Sequence, residues 1–349
     1  MSQQAVRSMQ RSYYLGLAEA GLRMPIGTHL VLHEAADPAA IELDGQRLGD
    51  VIVRAAGCFN TPLAVPLMDL KLEKEAMLAA RGIAGGQIDS FHFDELPAAA
   101  PGFRLTPRML ATCEAIRHVA KHPDLVPMGM GIGPFSLMTK LISDPITPVF
   151  LAGTGLTADE EPEVALIERV MELGTELLLE YFSAQIDAGA KAMIICEPAA
   201  NLVYFSPNQL ANGYEIFDRY VTAPMRRIKA LFDTRGVDLV FHDCGELTTG
   251  MVERFATLDA AMLSFGCSRL LWEDAALIPK STVLYGNLPS KRFPASQLSV
   301  ADVERLAREM LDKMRTIGHP FILGSECDVL SVPGSELEIM AKVEAFMKC

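Results

Sequence analysis

The sequence predicts an α/β fold, a (β/α)8 TIM barrel carrying an N-terminal helical extension. Three observations predict it. Eight short apolar runs alternate with longer amphipathic stretches, the pattern of βα units around a parallel sheet. Polar and metal-ligating residue types recur where those runs end, which is where barrel active sites lie. No Gly-x-Gly-x-x-Gly follows an early strand, so the usual sign of the runner-up, an open doubly wound sheet, is missing.

Taken in order, residues 1–60 are expected to form helices covering the barrel, and residues 61–349 the barrel as a single catalytic domain. The first strand is Leu63–Leu70 (LAVPLMDL). The second is Gln87–Phe93 (QIDSFHF), short and mixed in polarity. Val126–Ile132, Ala192–Pro198, Asp238–Asp243, Asp259–Phe265, Thr282–Leu288 and Pro320–Ser325 complete the set. Between them lie segments with helical periodicity: Thr106–Lys121, Glu161–Gly189, Pro207–Asp233, Thr248–Thr257, Ser299–Ile317 and Gly334–Lys348. In Glu161–Gly189, Val164, Ile167, Val170, Met171, Leu178, Leu179 and Phe182 mark the apolar face.

Composition bounds the function. Half of the 349 residues are hydrophobic and the net charge is −13. A large core is supported, and nucleic acid, whose phosphates favour basic patches, is disfavoured as a partner. No run approaches about 18 consecutive apolar residues, so no membrane span is expected. The first residues lack a signal-type apolar core, which points to the cytoplasm. Seven scattered cysteines, an odd number, argue against a disulfide framework.

The most informative motif is His242-Asp243-Cys244-Gly245, answered far along the chain by Cys327. In extended backbone, residues i and i+2 face the same side, so His242 and Cys244 can share one ion at the end of a strand. Cys327, just past the last strand, can reach the same ion across the barrel mouth. Three protein ligands with one position open is the catalytic zinc pattern, whereas structural sites are closed by four. Two thiolates and one neutral imidazole leave a divalent ion with about zero net charge. Such a centre suits holding a substrate thiol as thiolate better than making hydroxide from water. Asp243, Glu246, Glu197 and Glu326 are candidates for a resting fourth ligand or for supporting the three.

Other strand ends add candidates. Asp69 ends the first run, Glu197 the fourth and Asn287 the seventh; all three are expected to be catalytic. Gly131 and Gly133, in the glycine-rich Gly129–Pro134 stretch, and Asn201, opening Asn201–Pro207, are expected to border a bound cofactor. The glycine stretch lacks the Lys-Ser/Thr of a phosphate loop. His29, His33 and His92 could line the mouth, and Trp272 and Tyr285 could flank a planar ligand, although core packing explains the last two as well.

Several segments together carry a family resemblance: MDLKLEKEAM (68–77), GMGIGPFSLMTKLI (129–142), AGAKAMIICEPAA (188–200), HDCG (242–245), YGNLPS (285–290) and ILGSECDV (322–329). With them the chain resembles the uroporphyrinogen decarboxylase superfamily, and within it the zinc-dependent methylcobamide:coenzyme M methyltransferases. The resemblance implies the barrel, zinc on His242, Cys244 and Cys327, and methyl transfer between a corrinoid and a thiol such as coenzyme M. The corrinoid would arrive on a separate corrinoid protein, since no Asp-x-His-x-x-Gly segment is present. The competing reading from the same superfamily is metal-independent decarboxylation of a tetrapyrrole centred on Asp69. The arginine-rich N-terminal segment of those enzymes has no equivalent here. The third reading is a non-catalytic corrinoid- or tetrapyrrole-binding barrel. Two departures concern the substrate: Gly286-Asn287-Leu288-Pro289 lacks the acidic residue often found before the proline, and Glu326 stands immediately before Cys327.

Overall fold

The computed structural model describes residues 3–98 and 102–349, with side chains of the first helix described from Arg11 onward. Its frame is eight parallel strands: β1 (Arg23–Ile26), β2 (Leu63–Ala64), β3 (Val126–Ile132), β4 (Ala192–Cys196), β5 (Asp238–Asp243), β6 (Met262–Phe265), β7 (Val283–Leu288) and β8 (Phe321–Asp328). They follow the order β1-β8-β7-β6-β5-β4-β3-β2, with helices wrapped outside. This is the (β/α)8 barrel that the alternation of runs predicts.

Strand parity divides the core in two. Val240 on β5, and Ile194 and Cys196 on β4, face the lumen with Met24, Met128, Met262 and Tyr285. Their neighbours Leu239, Phe241, Met193 and Ile195 face the helical layer. Each fully buried side chain of this kind contributes about 1.5–3 kcal/mol, so register is strongly specified on both faces. The first helix (Gln3–Glu19) plugs one end: Tyr14 is buried with the lumen residues, and Arg11 donates to the Asp259 carbonyl at 2.6 Å. Among the described residues no helix is long and apolar enough to cross a membrane.

Three expectations are corrected. Gln87–Phe93 forms no strand; a single turn at Gly85–Gln87 leads into a loop. Gly85-Gly86 and Asp89-Ser90 are turn-forming pairs, and they outweigh the aromatic content. The eighth strand is instead Arg23–Ile26, inside the stretch expected to be helical. Pro25 hides it in the sequence, but β1 has a backbone ladder only with β8, so a missing N–H on its other side is tolerated. The expected helix Pro207–Asp233 is broken. It stops at Leu210, where Asn212-Gly213 turns the chain (Gly213 φ 148°). It resumes through an over-wide turn at Asp218–Thr222, immediately before Pro224 removes a helical donor.

The first expected strand is also much shorter, two residues in place of eight. Pro66 ends it, and β2 pairs with β3 only at Leu63–Val126 and Ala64–Pro127. The buried, unpaired edge of β3 is satisfied by side chains instead. Met130 N donates to Gln185 Oε1 at 2.9 Å, and Ile132 N to Glu73 Oε1 at 3.1 Å. Across the β1–β2 seam, Thr28 Oγ1 donates to the Val65 carbonyl at 2.6 Å.

Candidate metal centre

β5 is fully buried, and its parity turns Val240 and His242 inward. His242 pairs in register with Ser264 on β6, and its Nδ1 lies 2.9 Å from Ser264 Oγ. With Nδ1–H donating there, Nε2 keeps its lone pair; that atom is buried and has no protein partner. One residue beyond the strand, Cys244 enters a tight turn. Asp243 Oδ1 accepts from Gly245 N at 2.8 Å. A Cβ at Gly266 would stand 2.7 Å from the Cys244 carbonyl oxygen, and one at Gly245 2.6 Å from Asn201 Cβ. Both glycines are required for the neighbouring loops to close on the turn.

Cys327, next to last in β8, meets Cys244 at an Sγ–Sγ separation of 3.7 Å. Ser290 clamps it: the Ser290 hydroxyl donates to the Cys327 carbonyl at 3.1 Å and accepts from its N–H at 3.3 Å. The His242, Cys244 and Cys327 ligand atoms all lie within 4.8 Å of one another. Two sulfurs bound at about 2.3 Å to a tetrahedral ion stand about 3.8 Å apart, so the sulfur pair already has the spacing of a zinc site. The free buried imidazole nitrogen completes the fit.

The electrostatics favour an ionised sulfur. The Cys244 thiol is pulled well below its ordinary value by the adjoining Cys327 thiol, and further by His242 and Lys291, against the effect of burial. Lys291 Nζ donates to the Cys244 carbonyl at 3.3 Å. Met68 Sδ lies 3.9 Å from Cys327 Sγ, on the irregular segment that replaces the rest of β2.

Residues 90–348 match the family described as Uroporphyrinogen decarboxylase (URO-D), about three quarters of the chain. The chain belongs to the uroporphyrinogen decarboxylase family. A uroporphyrinogen decarboxylase from Granulibacter bethesdensis is 25% identical over 227 residues, covering 63% of this chain and 61% of that protein. The chain therefore spans less than two thirds of that relative's length. Among solved structures, a methyltransferase from Methanosarcina mazei superposes with a TM-score of 0.66 at 18% identity, covering 93% of this chain and 94% of that one. This likeness concerns the fold.

In this family member the remaining candidates have structural work. Asp69 lies past the end of β2, paired with Arg108 and accepting from Lys71 N at 3.0 Å. Glu197 caps the helix Pro134–Leu141: its Oε1 accepts from Ser136 N at 2.7 Å, and burial pushes its carboxyl up to about 8. Asn287 donates to the carbonyls of Gly266 and Arg269 at 2.8 and 2.9 Å, fixing the loop after β6. Gly131 and Gly133 allow close packing of their neighbours. Phe182 and Glu73 fill the space beside Gly131, and the Glu197 carboxylate fills that beside Gly133. Asn201 is used within its own loop, donating to the Pro198 carbonyl and accepting from Val203 N.

None of the four acids proposed as a fourth ligand joins the group of ligand atoms. Glu326 Oε2 accepts from Cys267 N at 3.0 Å, and Glu246 is exposed. His29 Nδ1 contacts Asp328 at 2.5 Å, so it is committed to the wall. His33 is exposed and His92 half-buried. Trp272 lies under Lys313, and Tyr285 is a lumen residue whose hydroxyl donates to the Met24 carbonyl at 3.0 Å. Sequence reasoning missed Ser264, Ser290, Met68 and Lys291. Register would have found Ser264, since it is the cross-strand partner of His242.

Proposed function

We propose that this chain is a zinc-dependent methyltransferase that moves a methyl group between a corrinoid and a thiol. The observation that carries the reading is the donor set itself: two sulfurs 3.7 Å apart and an imidazole nitrogen, buried and unclaimed, beside them. His242, Cys244 and Cys327 would hold the ion. Zinc bound there would supply an open coordination position at which a substrate thiol ionises near neutral pH.

The residues around the triad do the rest. Ser264 orients the imidazole so that Nε2 faces the sulfurs. Ser290 holds Cys327 by both of its backbone groups. Below His242 the lumen is lined by Val240, Ile194, Met262 and Met128, which exclude water from that side. The substrate thiol therefore approaches from the mouth. A methylated corrinoid presented there would supply the methyl group, and the thiol sulfur held beside His242, Cys244 and Cys327 would accept it. The corrinoid is carried by a separate protein. The structural neighbour's name, methyltransferase, and the late cysteine agree with this reading.

Tetrapyrrole decarboxylation is the alternative that the family name raises. It needs Asp69 free to engage the substrate, yet Asp69 is paired with Arg108. The deciding assay supplies methylcobalamin and a small thiol to protein of known zinc content. The expected result is thiol methylation that stops on chelation and returns with zinc. Porphyrinogen decarboxylation by chelated protein would replace the proposal with the alternative.

A further inference from the structure

Several cations around the C-terminal end of the barrel are paired. Arg108 meets Asp69 and Glu42, Arg269 meets Asp274, Lys71 meets Asp89, and His29 meets Asp328. Lys291 is different. Among the described residues it has no carboxylate within ion-pair distance, and its ammonium donates to the Cys244 carbonyl. It stands on the turn Ser290–Arg292 after β7, one residue beyond the serine that clamps Cys327. The backbone thus holds one cation beside both sulfur-bearing strands.

The surroundings make that cation useful. Asp243 and Glu326 are buried acids flanking Cys244 and Cys327 in sequence, and Glu197 is a third buried acid nearby in the wall. Two thiolates and a divalent ion sum to about zero, so the centre at rest does not need Lys291. A third sulfur arriving as thiolate leaves an excess charge of one. In a half-buried site, the Lys291 ammonium, 3.3 Å from the Cys244 carbonyl, is the cation placed to offset it.

We infer that Lys291 is the positioning residue that makes the three-sulfur state accessible: it offsets the charge that arrives with the substrate thiolate and does not itself hold the metal. The inference rests on the zinc reading above. It predicts that Lys291 matters to every thiol alike, because it answers the charge of the sulfur and not the group at the thiol's other end.

The test is calorimetric titration of zinc-loaded protein with three thiols of similar size: neutral 2-mercaptoethanol, anionic mercaptoacetate and cationic cysteamine. Wild type, Lys291→Met and Lys291→Arg are compared at one pH, with zinc measured on the same samples. Lys291→Met is expected to keep about one zinc per chain and to weaken all three thiols by about tenfold or more, the range of a charge-assisted hydrogen bond. Lys291→Arg is expected to stay within about threefold of wild type, since it restores the charge. Unchanged affinities in Lys291→Met would overturn the inference. So would a loss confined to mercaptoacetate, which would make Lys291 an anchor for an anionic tail, or a loss of zinc, which would make it part of the metal's support. Absence of zinc from the wild type would instead remove the functional reading on which the inference stands.

Discussion

Two parts of the barrel wall hold clusters of ligand-type residues, and only one of them brings its ligand atoms together, within 4.8 Å of one another. From β4 through β7 the ladders are regular and His242 lies opposite Ser264, while Cys327 lies two residues past the last β7–β8 pair, Leu288–Ser325, where Ser290 holds both of its backbone groups. At the β2–β3 seam β2 is two residues long, and the acids there are taken up by the fold. Glu73 replaces a missing strand by accepting from Ile132 N, and Asp69 pairs with Arg108. Residue type alone therefore does not make a site. Where the ladder satisfies the backbone, as at His242, parity leaves the imidazole nitrogen unclaimed beside the two sulfurs. Where the ladder fails, nearby polar side chains serve as its substitute.

The largest expected effect lies on the regular side. Cys327→Ser should lose bound zinc and thiol methylation together, a fall of about 100-fold or more, because two ligands hold the ion poorly. Zinc content and turnover on the same preparation check it, and a variant that keeps both would break the contrast at its strong end.

Ser264→Ala sharpens the same side. Removing the partner of Nδ1 frees the imidazole to rotate and to change tautomer. Metal affinity should fall by about 10–100-fold with the fold intact. Competition with a chelator measures it; unchanged affinity would mean that the strand alone orients His242.

On the seam side the effect should be on stability. Glu73→Ala leaves Ile132 N buried without an acceptor and should destabilise by about 1–3 kcal/mol, while Glu73→Gln, which keeps an acceptor, should lose less. The acid is fully buried, and burial raises its carboxyl to about 8. The folded state then holds a proton that the unfolded chain releases above about 4.3–4.5. Stability from this group is complete below that value and is lost as pH rises toward 8, by up to about 1.4 kcal/mol per unit. Glu197, also raised to about 8, acts in the same direction. Urea denaturation from pH 5 to 8 should show the decline, flattened in Glu73→Gln.

The smallest effect is expected from Asp69→Asn. Methyl transfer should change by less than about threefold, since Asp69 faces Arg108 and is absent from the ligand group. A loss comparable to that of Cys327→Ser would erase the distinction between the two regions.

This contrast also explains what could be read from the sequence. His242, Cys244 and Cys327 were legible because their positions relative to strand ends suffice to bring them together. Arg23–Ile26 was not, because a four-residue strand with an internal proline carries almost no pattern. Gln87–Phe93 misled because its apolar residues serve loop packing, with Phe93 N bound to the Leu141 carbonyl. The roles of Glu73 and Gln185 depend on how far β2 pairs with β3, and no local signal encodes that length. Glu197, Asn287, Gly131 and Gly133 were found at the right ends of the right strands, yet each serves a helix cap, a loop or a packing contact. Lys291 is a surface-type residue whose meaning exists only beside the two sulfurs.

The most direct test of the central claim is zinc stoichiometry by elemental analysis, on protein prepared without chelators and with metal supplied, beside the Cys244→Ser, Cys327→Ser double variant. The account predicts about one zinc per wild-type chain and essentially none in the variant. A wild type without zinc, or a variant that retains it, would contradict the account.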